Sequence, residues 1–124
     1  MPTLLACLST GKGTWSEVSR IIQAQPWTKI FLITNRFGEE NFTIKPESVQ
    51  LLVLNLDADC SSLIQEIKKQ LKDKIVDFEV ALNLASGSGK EHIALLEAVL
   101  ELGLNFRLVT VINNQFEVLG MRRE

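Results

Sequence analysis

Residues 76–102 read VDFEVALNLASGSGKEHIALLEAVLEL, and this stretch decides the fold. Its first part is an apolar run, 78–84, that predicts a β-strand. Its last part, from about Gly89 to Leu102, predicts an amphipathic helix with Gly103 as its C-cap. We expect the inward stripe of this helix to be Ile93, Leu96, Val99 and Leu100. A buried strand, a Gly/Ser turn and a helix in this order form the building unit of a parallel α/β sheet.

The rest of the chain repeats this alternation of strand and helix. Upstream, short apolar runs predict strands at 3–8, 29–34 and 50–56, and helical spacing of apolar residues predicts helices at 16–24 and 61–71. Downstream, predicted strands at 106–112 and 115–119 flank Asn113-Asn114, a dipeptide that suits a tight antiparallel hairpin. The pattern predicts one domain, 1–124, with a three-layer, Rossmann-like α/β fold. Its sheet is doubly wound and mainly parallel, and it ends in an antiparallel hairpin.

Charge, hydrophobic content and cysteine spacing argue against several classes of function. The formal net charge is -2 and 46% of the residues are hydrophobic, which argues against general nucleic-acid binding or attachment to a membrane surface. No window approaches the ~20 apolar residues of a membrane helix, and no secretory signal is present, so we expect a soluble cytoplasmic protein. Cys7 and Cys60 lack the spacing of a metal site or redox motif, and we expect free thiols, no metal and no cofactor.

Polar and glycine residues concentrate where the first, second and fourth predicted strands end. Ligands of doubly wound folds gather at the carboxyl ends of the strands, and the free amides at a helix N-terminus attract anions. The sequence therefore predicts a site for a small anionic ligand at this edge of the sheet. The predicted binding residues are Ser9, Thr10, Gly11, Lys12, Asn35, Arg36, Asn83, Ser86, Gly87, Ser88, Gly89 and Lys90.

Two other features have more than one interpretation. The third strand ends in Asp57-Ala58-Asp59, whose carboxylates can cap the following helix or bind a metal, and capping is the favoured interpretation. His92 is the only histidine. It is either a proton-transfer group beside a bound phosphate or an ordinary helix residue.

Two well-known nucleotide motifs do not fit. A Walker loop requires glycine six residues before its lysine and Ser or Thr after it, but Leu84 and Glu91 flank Gly89-Lys90 at those positions. A dinucleotide fingerprint starting at Gly11 would need glycine or alanine where Ser16 stands. An ATPase and an NAD-binding protein are both disfavoured.

The polar loop after the first strand and the fourth-strand segment together resemble the CARF domain, the CRISPR-associated Rossmann-fold sensor. The family signature Asn-Leu-Thr-Gly-Gly-Thr-Lys is similar to residues 83–90, NLASGSGK, which contain one extra residue and place Gly89 before the lysine. The resemblance covers most of the chain.

The resemblance implies a homodimer that binds a cyclic oligoadenylate across its twofold axis and takes part in antiviral defence. One alternative is a metal-independent ring nuclease that cleaves the messenger. Ser9 or Thr10 would then align the attacking ribose hydroxyl, and Lys12 or Lys90 would stabilise the developing charge. A further alternative, from the fold alone, is a Rossmann-like or flavodoxin-like protein that binds a mononucleotide or serves in assembly.

Overall fold

The structure is a computed structural model that describes residues 3–8, 12–43 and 48–120, with only the backbone of Lys12. Strands and helices alternate along the chain. The strands are β1 (Leu4–Cys7), β2 (Ile30–Thr34), β3 (Val49–Val53), β4 (Glu79–Asn83), β5 (Asn105–Ile112) and β6 (Gln115–Val118). The helices are α1 (Trp15–Ala24), α2 (Arg36–Asn41), α3 (Cys60–Leu71) and α4 (Gly89–Glu101), and a 3-10 turn, Lys12–Thr14, precedes α1.

The six strands form one sheet in the order β3-β2-β1-β4-β5-β6. The pairs β1–β2, β1–β4, β2–β3 and β4–β5 are parallel, and β5–β6 is antiparallel. Strands β2 and β3 thus lie on one side of β1, and β4, β5 and β6 follow on its other side. This confirms the predicted doubly wound, Rossmann-like fold with its C-terminal hairpin, and it places the topological switch point between β1 and β4.

The buried residues form one apolar layer on each face of the sheet. Successive residues of β1 alternate between them, because side chains of a strand point to opposite faces. Leu5 and Cys7 lie in the layer beneath α3 and α4, whereas Leu4 and Ala6 lie in the layer beneath α1. A strand buried on both faces is continuously apolar, and this explains the unbroken run that predicted β1.

The structure corrects three predictions. The short helix α2 was not predicted, and β3 ends at Val53 rather than at residue 56. The inward stripe predicted for α4 is wrong at two positions, since Ile93 is 60% exposed and Leu100 57% exposed. Ala94 and Ala98 are buried instead. Both alanines pack in the apolar layer that α3 and α4 share, so the buried face of α4 differs from the predicted one.

Each of the other predicted elements exists within a few residues of its expected bounds. In the hairpin turn, Asn113 has a φ of 52° and Asn114 a φ of 64°, as the predicted tight turn requires. Among the helices in the described part of the chain, none is long and apolar enough to cross a membrane.

Candidate functional site

The segment directly before α1 and the turn after β4 meet at the switch point of the sheet. Strands β1 and β4 are neighbours, with Ala6 opposite Asn83. Beyond the strand ends, the Thr14 hydroxyl donates a hydrogen bond of 2.7 Å to the Ser86 hydroxyl. This bond joins the segment before α1 to the turn before α4. Of the predicted binding residues, Ser86 is therefore held against the start of the α1 segment.

Asn83 fixes the end of β4 from within. Its side chain is only 3% exposed. The amide nitrogen donates to the Val109 carbonyl at 2.9 Å, and the amide oxygen accepts from the Ala85 backbone at 3.2 Å. The predicted ligand residue thus joins β4, β5 and the following turn, and it shapes the site from beneath its surface.

The turn itself is packed tightly against β1. Gly87 has a φ of +101°, and a Cβ atom placed on it would lie 2.8 Å from Cβ of Cys7. His92 Nε2 lies 2.7 Å from the Ser86 carbonyl oxygen. Because a carbonyl oxygen only accepts, this nitrogen carries a hydrogen. His92 therefore braces the turn from the second turn of α4.

The N-terminus of α4 is closed by a reciprocal capping box. The Ser88 hydroxyl accepts from the Glu91 backbone N–H at 3.3 Å, and Glu91 Oε1 accepts from the Ser88 backbone N–H at 3.3 Å. Glu91 is 9% exposed, so its carboxylate lies almost buried beside the helix start. An anion at this helix would have to bind the amides of Gly89 and Lys90, which the box does not use.

Lys90 extends away from the turn toward the β3–α3 loop. Its ammonium donates to the Ala58 carbonyl oxygen at 2.8 Å. In this arrangement Lys90 ties α4 to the neighbouring loop. For Lys90 to reach a ligand at the β4–α4 turn, its side chain would have to change rotamer and give up this bond.

Asn35 and Arg36 lie beside a cavity at the ends of β2 and β3. Asn35 caps α2, because its side-chain oxygen accepts from the Gly38 backbone N–H at 3.1 Å. Arg36 is the exposed first residue of α2. The cavity has a volume of about 370 Å³ and reaches the start of α4. It is lined by Asn35, Arg36, Phe37, Leu54, Asn55, Leu56, Asp57 and Glu91.

The charged groups of this cavity favour hydrogen-bond donors more than phosphate. Its lining includes one guanidinium, from Arg36, and two carboxylates, from Asp57 and Glu91. Carboxylates accept hydrogen bonds from hydroxyl and amino groups and repel other anions. The volume falls within the range of ~300–1,000 Å³ typical of small-molecule pockets. The ribose and base of a nucleotide suit this lining better than its phosphate does.

The interpretation of Asp59 as a helix cap is confirmed. Its side chain accepts from the Ser62 backbone N–H at 2.7 Å. The hydrogen bonds from Ser62, with a smaller attraction from Lys90, lower the pKa of the Asp59 carboxyl below its ordinary value. No group of three or more His, Cys, Asp and Glu side chains that could hold a metal occurs among the residues the structure describes.

Several site residues lie beyond what the structure describes, and others were missed. Ser9, Thr10 and Gly11 are outside the described residues, and for Lys12 the structure gives only its place at the start of the 3-10 turn. Sequence reasoning missed Thr14 and Glu91. The Ser-x-x-Glu spacing at residues 88–91 was a readable signal for Glu91. Thr14 ends the polar stretch after the first predicted strand but was not among the predicted binding residues.

No protein-family model matches this sequence, and a search of curated proteins gives no match either. The function must therefore be argued from the site.

Proposed function

We propose that the chain is a CARF-like cytoplasmic sensor that binds a cyclic oligoadenylate across a homodimer. The observation that carries the proposal is the meeting of the segment before α1 and the turn after β4 at the switch point, joined by the Thr14–Ser86 hydrogen bond of 2.7 Å. In doubly wound sheets this is the place where ligands bind. The predicted CARF-like segment, residues 83–90, contains this turn.

The chemistry of the neighbouring cavity supports a nucleotide over a simple anion. A free phosphate would meet the Asp57 and Glu91 carboxylates, and among the described lining residues Arg36 is the one base that offsets them. A nucleotide carries its hydrogen-bond donors and its anionic phosphate at separate positions. Its ribose hydroxyls and exocyclic amine would face the carboxylates, and its phosphate would face the helix amides of Gly89 and Lys90.

Twofold symmetry accounts for a nucleotide site in a chain with a net charge of -2. A symmetric cyclic ligand presents the same phosphate to each copy, so one modest set of amides and basic side chains is used twice. Lys12 and Arg36 are the basic residues that would supply this charge. The protein needs no extended basic surface, which only a long nucleic acid would require.

The test is to incubate the protein with cyclic tetra- and hexa-adenylate in EDTA, following melting temperature and reaction products together. We expect a raised melting temperature, because a ligand that binds only the folded state stabilises it. Lys12→Ala and Arg36→Ala should each weaken binding about tenfold, on the scale of one charge-assisted hydrogen bond. Lys69→Ala is the matched control, since Lys69 is exposed in the last turn of α3, at the opposite edge of the sheet.

The outcomes separate the candidate functions. A stabilised and unreacted ligand supports the sensor. Conversion to linear or smaller products without metal would make the protein a ring nuclease. If the melting temperature does not change and no product forms, the proposal is overturned. The remaining candidate is then a Rossmann-like mononucleotide-binding or assembly protein, which titration with mononucleotides and flavins would test.

A further inference from the structure

The cavity at the ends of β2 and β3 has an apolar side that suits a flat ring. This side is formed by Phe37, Leu54 and Leu56. Phe37 is 40% exposed, so part of its ring is accessible. Trp15 supports this ring, with the two ring centroids 5.9 Å apart and the planes tilted by 50°. Because aromatic rings pack well against other flat groups, a supported phenyl ring in a cavity lining favours a ligand that contains a planar ring.

Two asparagines in the lining of this cavity supply hydrogen-bond donors. The side-chain oxygen of Asn35 accepts from the Gly38 backbone N–H at 3.1 Å. The side-chain oxygen of Asn55 accepts from the Asp57 backbone N–H, also at 3.1 Å. A backbone N–H only donates, so these bonds identify the other end of each amide as its NH2 group. Neither NH2 group donates to a residue that the structure describes, and both can therefore donate to a ligand.

Glu91 adds a buried carboxylate to the same lining, since it is only 9% exposed. One of its oxygens accepts from the Ser88 backbone N–H at 3.3 Å, and the other accepts from the Ser88 hydroxyl at 3.0 Å. A carboxylate has about four acceptor positions, so each oxygen can accept one more hydrogen bond. Among the described residues, no cation forms an ion pair with Glu91. Because a buried charge is costly unless it is paired and hydrogen-bonded, Glu91 favours a ligand that donates hydrogen bonds.

A flat ring, a donor from the ligand and acceptors beside that donor are features of adenine. Its exocyclic amine donates, and the ring nitrogens on either side of the amine accept. The cavity offers the complementary groups, an acceptor at Glu91 and donors at Asn35 and Asn55. A simple amine would satisfy Glu91 but would leave the two amide donors without acceptors. The volume of about 370 Å³ lies at the lower end of the range of ~300–1,000 Å³ for small-molecule pockets, which suits one nucleoside.

We propose that this cavity selects an adenine base through Glu91, which accepts from the exocyclic amine while Phe37 stacks on the ring. Asn35 and Asn55 donate to the ring nitrogens. The proposal rests on the proposed function, because the base belongs to the nucleotide ligand, and it names the residues that determine base specificity. All of them belong to one chain. Each copy therefore binds one base by itself, and a single nucleoside is a sufficient probe.

The experiment is a titration of the full chain with adenosine and with purine riboside, which differs from adenosine only in lacking the exocyclic amine. NMR spectra of the isotope-labelled protein give both dissociation constants from the shifts of the backbone amides. We expect saturable binding of adenosine, with the largest shifts at residues 35–38, 54–57 and 88–91. Purine riboside should bind at least about tenfold more weakly, because it cannot donate the charge-assisted hydrogen bond to Glu91.

Two substitutions test the assigned roles. Glu91→Gln removes the charge and keeps the capping box, which Gln completes as Glu does. It should reduce the preference for adenosine over purine riboside about threefold or more, since a neutral acceptor forms a weaker bond. Phe37→Ala should weaken both nucleosides about tenfold, because both stack through the same purine ring. Thermal denaturation checks that each variant is folded.

The matched controls make the same two changes outside the described lining of the cavity. Glu97 is exposed on the same helix as Glu91, and Phe78 is 89% exposed before β4. Glu97→Gln and Phe78→Ala should leave both dissociation constants unchanged.

The outcomes keep this proposal apart from the proposed function. Equal binding of adenosine and purine riboside, no saturable binding of either, or a preference that Glu91→Gln leaves intact would overturn the base assignment. If cyclic tetra-adenylate nevertheless binds, its bases lie outside this cavity and the sensor stands. If the adenosine preference holds but no cyclic oligoadenylate binds, the base site stands and the proposed ligand is refuted.

Discussion

At the scale of single residues, Gly87 sets how closely the ligand turn approaches the sheet. Its φ of +101° is strained for any residue with a side chain, and a Cβ would lie 2.8 Å from Cβ of Cys7. We expect Gly87→Ala to lower the free energy of unfolding by about 2–4 kcal/mol, from backbone strain plus overpacking.

Urea denaturation measures this loss, and Gly89→Ala is the control for it. Gly89 starts α4 with nothing within 4 Å of an added Cβ, so its replacement should cost nothing and can stabilise the helix. Equal stabilities for the two variants would contradict the close packing of the turn.

Cys7 gives the protein a pH dependence in the alkaline range. Burial, with a smaller contribution from the Glu91 carboxylate, raises the pKa of the Cys7 thiol to about 12. In the unfolded chain the thiol ionises from about pH 9, so between pH 9 and 12 the unfolded state binds fewer protons than the folded state. The free energy of unfolding should therefore fall in this window, by up to about 1.4 kcal/mol per pH unit.

Comparison with Cys7→Ala isolates this effect, because the other titrating groups are common to both proteins. Denaturation curves recorded from pH 8 to 11 should converge, the wild type losing its advantage as the pH rises. Parallel curves would show that the Cys7 thiol is ionised as easily in the folded protein as in the unfolded chain.

At the scale of elements, the capping box decides where α4 begins. The Ser88 hydroxyl and the Glu91 backbone N–H are 3.3 Å apart, and the box satisfies two groups that the helix itself cannot. Ser88→Ala should lower the free energy of unfolding by about 1 kcal/mol. Thermal denaturation would detect this, with Ser61→Ala, an exposed serine inside α3, as the variant expected to change stability little. A cost at Ser61 as large as that at Ser88 would contradict the capping role.

The elements that the sequence predicted well are those whose signal is local. Continuous apolar runs mark strands buried on both faces, and the Asn113-Asn114 turn carries its own backbone preference. The sequence of α4 alone does not determine which face of the helix is buried. Its sequence is apolar on more than one flank, since Ala94 and Ala98 face inward while Ile93 and Leu100 face outward. Periodicity cannot distinguish an apolar helix face that packs in the core from one that is exposed.

The candidate site was predictable only at the level of backbone position. The predicted polar residues that the structure describes lie at the carboxyl edge of the sheet, but their side chains form hydrogen bonds that sequence spacing does not reveal. Asn83 binds β5, and Lys90 binds the Ala58 carbonyl from the next loop. Both partners are distant in sequence, so only the assembled sheet brings them together. The Thr14 hydroxyl likewise reaches Ser86 only in the assembled sheet, and no motif marked Thr14.

At the scale of the whole molecule, the proposed site lies at the carboxyl edge of the sheet, where the turn before α4 meets the segment before α1. In the proposed function, a cyclic ligand lies on a twofold axis at this edge and contacts both copies of the chain. Each copy then contributes the same turn to one shared site.

This arrangement predicts reciprocal coupling between ligand binding and dimerisation. If the cyclic ligand contacts both copies, it must tighten the dimer, and loss of the dimer must weaken the ligand by the same factor. Isothermal titration should give one cyclic oligoadenylate for two chains. Dilution of the protein below the concentration at which it dimerises should weaken the apparent binding of the ligand at least about tenfold, because separate chains must then associate as the ligand binds. Affinity that does not change on dilution, with one ligand for each chain, would show that every copy holds its own complete site and that the dimer axis takes no part in recognition.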